Sequence, residues 1–277
     1  MKIKIAIFIS GQPRLIDLSL INYFKVKNID FDIYIHYWIP KDNNAVWSMA
    51  KGEITHNNLM YNKDVHNILI NSYNPKKIKQ DVQIDFEKIK LNKQENFRDV
   101  ENLEYYEKFY NWYDKNVNPK VPQSCAYSCK KAFELCDNPD EYDWLIKTRF
   151  DTYSPLFSSP HKRALSPQYN RDYHLNYAKN MNINIDFNKC HKEKVNFFNI
   201  YNHFVSDRGE PMSEIWIVSN NCKKIFNYYD DLINCGSCCP NEAILYNFCK
   251  NNNLEINSLG ISYGFNRNYN TNNFIFI

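Results

Sequence analysis

The chain has 277 residues, of which 44% are hydrophobic and 23% are charged, a composition typical of folded rather than disordered proteins. Its 34 basic and 31 acidic residues leave a net charge of +3, which argues against a nucleic-acid-binding protein with a concentrated basic face. The length suits one large domain, or one domain with a sizeable insertion.

Targeting and cysteine signals favour a cytoplasmic protein. The first ten residues form too short an apolar run for a secretory signal, and no small-residue cleavage site follows them. No segment approaches the roughly 20 apolar residues that cross a bilayer. The nine cysteines are therefore expected to be mostly reduced thiols. Cys235, Cys238 and Cys239 cluster near the carboxyl end and could hold a metal with Cys222 or Cys249, but the chain lacks the two C-x-x-C pairs of a typical zinc site.

The amino-terminal residues predict the opening of an open α/β sheet. Residues 2–10 are a nearly continuous aliphatic run, as expected for a parallel strand covered on both faces. Gly11 and Pro13 mark a turn, and helical apolar spacing follows over residues 15–24. Residues 31–38 are typical of a second strand, so the order is strand, helix, strand.

The remaining elements are less regular. Residues 40–120 hold long polar stretches, and we expect helices and loops there as an insertion, with the basic run 76–79 on a solvated helix face. Further patterns predict a helix at 123–136, a strand at 142–151, loops with short strands at 155–195, a strand at 212–219, helices at 223–232 and 240–250, and a strand at 254–261. We therefore predict one domain with a Rossmann-like, mixed and mostly parallel sheet flanked by helices.

Polar residues fall at the carboxyl ends of the predicted strands, which is where ligands bind in open α/β sheets. Glycine there lets the backbone approach a ligand, and a helix beginning near Pro13 offers backbone N–H groups to an anion. The candidate ligand-binding residues are Ser10, Gly11, Gln12, Arg14, His36, Trp38, Lys147 and Arg149.

Charged residues alternate along the predicted strand 142–151, so Lys147, Arg149 and Asp151 are expected to share one face. Arg14 and Arg149 can bind phosphate oxygens in a bidentate way, and Asp151 suits Mg²⁺ or Mn²⁺ bridging a diphosphate. We therefore interpret this edge as a nucleotide diphosphate site. A structural interpretation stays open, in which Arg149 and Asp151 pair with protein groups.

The order of these segments resembles that of GT-A-type nucleotide-sugar glycosyltransferases, especially capsule, surface-polysaccharide and giant-virus enzymes. The matching segments are ISGQPR at residues 9–14, DIYIHYW at 32–38, YDWLIKTRFD at 142–151, SEIWIVS at 213–219 and PNEAIL at 240–245. Residues 40–120 lie outside the resemblance. Arg149 stands where a full D-x-D motif would have its first acid, so metal binding rests on Asp151 alone.

The resemblance implies a GT-A-like domain over residues 1–277 that transfers a sugar from a nucleoside-diphosphate sugar to an acceptor hydroxyl. It implies a role in surface-polysaccharide (capsule) or glycan biosynthesis, a divalent Mn or Mg cofactor, and a glycan acceptor as partner. Peripheral membrane association is left open. If the reaction inverts the sugar, a carboxylate near the acceptor would take its proton, and the candidates are Asp207, Glu214 and Glu242. Glu242 also has a structural interpretation, because an acid stabilises the start of a helix.

Two other functions fit the same residues. Another nucleotide-dependent capsule-modifying transferase, or a nucleotidyltransferase, would use the same sheet but would need a second acid near Asp151 for two metal ions. A non-catalytic carbohydrate-binding relative is the other alternative, since a fold alone does not guarantee activity.

Overall fold

The computed structural model describes residues 3–13, 16, 18–41, 62–86, 120–150, 152–153, 185–200, 215–232 and 241–265. The strands are β1 (Lys4–Gly11), β2 (Asp30–Ile39), β3 (Lys77–Val82), β4 (Trp144–Thr148), β5 (Thr152–Tyr153), β6 (Lys194–Ile200), β7 (Trp216–Val218) and β8 (Glu255–Phe265). The α-helices are α1 (Ser19–Val26), α2 (Val65–Tyr73), α3 (Lys120–Glu134) and α4 (Asn241–Asn251). Short 3₁₀ helices lie at Pro139–Glu141 and Phe187–Lys189, and a longer one at Asn220–Asp231.

Within the described ranges, the strands form one mixed sheet of eight strands in the order β3-β2-β1-β4-β7-β6-β8-β5. The strands β3, β2, β1 and β4 run parallel to one another. The strand β7 runs antiparallel to both β4 and β6, whereas β6 and β8 are parallel. The fold is therefore α/β with a mixed sheet flanked by helices, which confirms the predicted fold class at this level.

Side-chain alternation assigns the two faces of the sheet to different helices. Phe8 of β1 contacts Phe133 of α3 and Phe226 of the long 3₁₀ helix, with ring centroids 5.4 and 4.9 Å apart. Phe31 of β2 points to the opposite face and contacts Phe24 of α1 at 6.1 Å. We call the side that carries Phe8 the α3 face, and the candidate side chains discussed below lie mainly on it.

Most predicted elements are present with shifted bounds. The predicted strand at 2–10 is β1 and the helix at 123–136 is α3, each displaced by a few residues at most. Helix α1 begins only at Ser19, after an N-cap Leu18 whose side chain makes no cap hydrogen bond, so the sequence carries no start signal there. The predicted helix at 223–232 is instead the 3₁₀ helix Asn220–Asp231, with non-helical backbone angles at Asn227.

The central strand is shorter than predicted. Pairing of β4 with β1 ends at Thr148, opposite Ile9, and residues 149 and 150 are coil and turn. The predicted unbroken alternation from Lys147 to Asp151 along one strand is therefore wrong. Lys147 lies in β4, Arg149 follows the end of β4, and Asp151 lies outside the described residues.

Besides the two-residue β5, the strands β3 and β6 were not predicted, for different physical reasons. The strand β3 lies at the end of the sheet and is only partly buried, so its polar sequence KIKQDV lacks an apolar alternation. The basic run 76–79 therefore leads into and forms an edge strand, and the prediction of a helix face is wrong. In β6 the buried Asn196 interrupts an apolar run. Residues 62–86 of the predicted insertion thus form helix α2 and strand β3, and β3 belongs to the same sheet.

Asn196 joins three strands of the sheet through one buried amide. Its Oδ1 accepts hydrogen bonds from the His191 backbone N–H at 2.9 Å and from Asn257 Nδ2 at 2.8 Å. Its Nδ2 lies 3.0 to 3.1 Å from the carbonyl oxygens of His191, Lys194 and Ile217. Because the side chain is fully buried, water cannot replace these partners.

We expect Asn196→Ala to lower the free energy of unfolding by about 3 kcal/mol, since it strands several buried polar groups at once. The matched control is Asn257→Ala, which removes one of these hydrogen bonds from a partly exposed partner and should cost about 1 kcal/mol. Urea denaturation of both variants measures the difference. Equal losses in the two variants would contradict the role assigned to Asn196.

Candidate functional site

The order of the parallel strands singles out the carboxyl end of β1. From β1 the chain moves outward to β2 and β3, whereas β4 lies on the opposite side of β1. In open α/β sheets, ligands bind beyond the carboxyl ends of the strands at the point where the strand order reverses. The candidate site is therefore the group of strand ends at Gly11, Ile39 and Thr148, which we call the switch edge.

Gly11 ends β1 in a conformation that other residues rarely adopt. Its φ is +116°, and no atom of the described residues lies within 4 Å of the position that a Cβ would occupy. A ligand can therefore approach the backbone closely on this side. The Gly11 N–H points inward and donates a hydrogen bond to Ser128 Oγ of α3 at 2.8 Å.

His36 lies next to this hydrogen bond between Gly11 and Ser128 and is fully buried. Its Nδ1 is 2.7 Å from Ser128 Oγ, and its Nε2 is 3.0 Å from Asp81 Oδ2 of β3. The Gly11 N–H can only donate, so Ser128 Oγ accepts from it and has its own proton to give to Nδ1. The neutral tautomer with the proton on Nε2, donated to Asp81, satisfies every bond.

The charge states of His36 and Asp81 follow from burial together with the neighbouring charges. Desolvation lowers the pKa of His36 to about 4, although the hydrogen bond and charge of Asp81 act in the opposite direction. For Asp81, burial alone would raise the carboxyl pKa, but His36 and Lys79 together lower it. At neutral pH the network therefore holds a neutral imidazole and an ionised carboxylate.

The hydrogen-bonded chain from Asp81 through His36 to Ser128 has the residue types of a hydrolase triad, but its geometry does not support nucleophilic attack. The Ser128 side chain is fully buried, and its oxygen already accepts the Gly11 N–H. Neither Ser128 nor Asp81 was predicted. The signal that could have found Ser128 is a polar residue on the buried helix face that also carries Cys129 and Ala132.

A second hydrogen-bonded link holds the residue that follows Gly11. Gln12 Nε2 donates to Gln83 Oε1 at 3.4 Å, and Gln83 Nε2 donates to Ser124 Oγ of α3 at 3.2 Å. Gln83 and Ser124 are buried, whereas Gln12 is half-buried. The chain leaving β1 is thus attached to α3 at both Gly11 and Gln12.

Lys147 places a cation inside the α3 face. Its side chain is only 2% exposed, and its Nζ lies 5.0 Å from the centroid of the Trp216 ring, its neighbour across the β4–β7 pair. A cation over an indole face is an attractive arrangement, and its field is weakly screened in a buried setting. Arg149 follows one residue after β4 and is half-buried.

Trp38 is fully buried in an aromatic cluster. Its ring stacks on Tyr127 of α3 at 5.4 Å and meets His36 and Phe86 edge-on at 5.0 and 6.2 Å. Among the described residues its indole Nε1 has no hydrogen-bond acceptor. Packing against α3 is therefore the role that the visible contacts of Trp38 support.

The first residues of the segment YDWLIKTRFD lie at the opposite, amino-terminal end of the parallel strands β1 and β4. Asp143 Oδ2 accepts the Lys4 backbone N–H at 2.8 Å, and the Tyr142 hydroxyl donates to Asp32 Oδ2 at 2.5 Å. Burial alone would raise the pKa of Asp32, but hydrogen bonds from Lys76 and Tyr142 lower it. The first residues of YDWLIKTRFD thus fix strand pairing, and only its later part reaches the switch edge.

The predicted site residues fall into three groups. Ser10, His36, Trp38 and Lys147 are buried, so their direct contact with a donor stays a prediction. Gly11, Gln12 and Arg149 lie at or just beyond the strand ends. The other candidates are Arg14, Asp151, Asp207 and Glu214, which lie outside the described residues, and Glu242, which lies in the first turn of α4.

Metal-binding groups were sought in the same ranges. The described residues contain no group of three or more His, Cys, Asp or Glu side chains able to hold a metal ion. The cysteines in those ranges are free thiols, and burial raises the pKa of Cys129, Cys190 and Cys249 to about 12. Lys147 and Arg149, in and just after β4, are basic and suit an anion, whereas Asp81 is an ionised carboxylate bonded to His36; a metal would depend on Asp151. The cluster 235–239 lies outside the described residues.

Comparison with known proteins gives no assignment: no protein-family model matches the chain, and no curated protein matches it in a sequence search. In the described part of the chain, none of the helices combines the length and apolar character needed to span a membrane.

The buried His36 makes stability depend on pH in a defined direction. Its pKa is about 4 in the folded protein against an ordinary 6.5, so folding opposes protonation. Stability should be complete above pH 6.5 and fall as the pH drops towards about 4, by up to about 3 kcal/mol.

Urea denaturation at about pH 7 and about pH 4.5 measures this loss, and His36→Gln, which cannot titrate, should remove most of it. Asp81→Asn is the second comparison, because its amide oxygen still accepts the Nε2 proton. The assignment fails if wild type and His36→Gln lose the same stability over this range.

Proposed function

We propose that the chain is a GT-A-type glycosyltransferase that transfers a sugar from a nucleoside-diphosphate sugar to an acceptor hydroxyl in surface-polysaccharide or glycan biosynthesis. The observation that carries the proposal is the switch edge. Parallel strands β2, β1 and β4 end together there, and no atom of the described residues covers one side of the Gly11 backbone. A cytoplasmic location and a glycan acceptor belong to the same proposal.

The charges near this edge suit a diphosphate. Lys147 contributes a buried cation in β4, and Arg149 follows the end of the same strand. Sugar transfer breaks the bond between the anomeric carbon and the diphosphate oxygen, so negative charge grows on the leaving group. Fixed cations in a setting of low dielectric stabilise that charge more than surface cations do. Arg14 is proposed to add a bidentate contact.

The acceptor hydroxyl forms the new bond to the anomeric carbon and gives its proton to a carboxylate. Asp207, Glu214 and Glu242 are the proposed candidates for that base. A divalent ion held at Asp151 would neutralise part of the diphosphate charge, which makes Mn²⁺ dependence a component of the proposal and not a premise of it.

Nucleotide binding is the first test. We expect UDP, GDP or CDP, or one of their sugar derivatives, to raise the melting temperature selectively, because a ligand that binds only the folded state stabilises it. Parallel series with and without Mn²⁺ measure the contribution of the metal. The proposal is abandoned if no nucleotide stabilises the protein in either series, and stabilisation without any transfer or hydrolysis would favour the non-catalytic relative.

Gly11→Ala tests whether the nucleotide lies at the switch edge. A side chain at φ +116° costs about 1–3 kcal/mol in strain, and the added methyl group occupies the open side, so affinity for the stabilising nucleotide should fall at least about tenfold. The matched control is Asn28→Ala, which alters a residue with φ +53° at the turn before β2, at the other edge of the sheet. Equal affinity losses in both variants would argue against this location.

Asp151→Ala should abolish sugar transfer while the protein stays folded, because the proposed metal ligand is lost. Glu242→Gln keeps the size of the side chain and tests the proposed base at the start of α4. A near-normal rate for Glu242→Gln would leave that residue with helix stabilisation alone, and turnover by Asp151→Ala would remove Asp151 from the site. Circular dichroism checks folding of both variants.

A further inference from the structure

We propose that His36 is a positioning residue which, through Ser128, holds the Gly11 N–H inward and so fixes the direction in which the chain leaves β1. The residues that follow are those assigned to the diphosphate, so the consequence for ligand binding rests on the proposed function. The hydrogen-bonded clamp, which consists of Gly11, Ser128, His36 and Asp81, does not rest on the proposed function and can be tested without a ligand.

The first argument is that the clamp is tertiary. It joins Gly11 at the end of β1, His36 in β2, Asp81 in β3 and Ser128 in α3, across sequence separations of 117, 92 and 45 residues. No local turn motif would orient the Gly11 peptide in this way. The direction of the chain at the switch edge is therefore set by α3 and its neighbours together with the glycine at position 11.

The second argument is that, with a neutral His36 ring, the clamp has a single satisfied arrangement. Ser128 and His36 are both fully buried, so each of their polar atoms needs a protein partner. Ser128 Oγ accepts from Gly11 and donates to His36 Nδ1, and Nε2 then donates to Asp81. Loss of the Ser128 hydroxyl would leave the Gly11 N–H and His36 Nδ1 without their partners.

The third argument is that the clamp is connected to solvent. The Asp81 side chain is 25% exposed, so a proton can reach His36 through it. Asp81 and Lys79 face the ring from β3, and Lys131 acts on it from α3. A protonated ring would donate from Nδ1, which forces the Ser128 hydroxyl to turn towards the His36 carbonyl oxygen at 3.4 Å. The Ser128 oxygen then accepts from both Nδ1 and the Gly11 N–H, so acid should change the environment of the Gly11 amide without removing its hydrogen bond, a response that a purely apolar core would lack.

The sequence permits a selective measurement. The chain has six glycines, and Gly11 alone follows a serine. Labelling with carbonyl-¹³C serine and ¹⁵N glycine therefore isolates the Gly11 amide in a carbonyl-filtered NMR spectrum. Its chemical shift is followed from about pH 8 to about pH 3.5, and its hydrogen exchange is measured near pH 7.

We expect strong exchange protection of the Gly11 amide at neutral pH and a shift change that follows the protonation of His36. In Ser128→Ala the protection should fall at least about tenfold. The matched control is Ser219→Ala, which removes another buried hydroxyl that follows β7 and is bonded to the Lys192 carbonyl oxygen rather than to Gly11. Protection of Gly11 should survive in that variant.

The functional arm measures affinity for whichever of UDP, GDP and CDP stabilises the wild type. Ser128→Ala should bind it at least about tenfold more weakly, and Ser219→Ala should stay within about twofold. A protected Gly11 amide in Ser128→Ala, or a wild-type amide that ignores acid, overturns the clamp. The wild-type pH series decides this even where the variant does not fold.

The remaining outcomes are separable. If the clamp is present but both serine variants bind nucleotide equally well, the network is structural and the positioning role is wrong. If the wild type binds none of the three nucleotides, the proposed function fails and the ligand-directed role of the clamp fails with it, whereas the Gly11 amide still decides the clamp itself.

Discussion

The parallel pairing of β1 with β2 on one side and β4 on the other is the constraint on which the candidate site depends. It makes β1 the strand at which the chain reverses direction across the sheet, and it brings Gly11 and Thr148 to one edge. Burial on both faces drives this pairing, since the side chains from Ile5 to Ser10 are almost fully enclosed. The candidate site thus follows from a strand that is buried on both faces, whatever the chemistry of its ligand.

Polar groups under α3 are the second recurring feature. His36, Ser128 and Lys147 are enclosed on the α3 face, where an unpaired polar atom is far more costly than at the surface. Such networks are rigid when every member is satisfied. The edge therefore combines a backbone left open at Gly11 with a support that permits little rearrangement, which is the arrangement expected of a binding site built on regular elements.

The sequence predicted those parts of the fold in which burial is uniform. The strand β1 is apolar throughout and α3 carries a regular apolar face, so both were recognised. Edge strand β3 was missed because its two faces are partly exposed, and β6 because a buried asparagine interrupts it. At the site, Gly11 and the strand ends followed from turn residues and topology. The partners Ser128 and Asp81 could not be predicted, because their roles depend on contacts between distant segments. The end of β4 at Thr148 depends on its register with β1, which local alternation does not encode.

The distance along the chain between β1 and β4 has a consequence for synthesis. The Lys4 backbone N–H bonds to Asp143, 139 residues later. The apolar strand β1 is therefore synthesised long before β4, its second neighbour in the sheet. Closing a loop of this length slows folding. During that interval the nascent chain presents an unpaired hydrophobic edge, the kind of surface on which aggregation begins. Association through an exposed edge of β1 would therefore compete with folding until β4 has been synthesised.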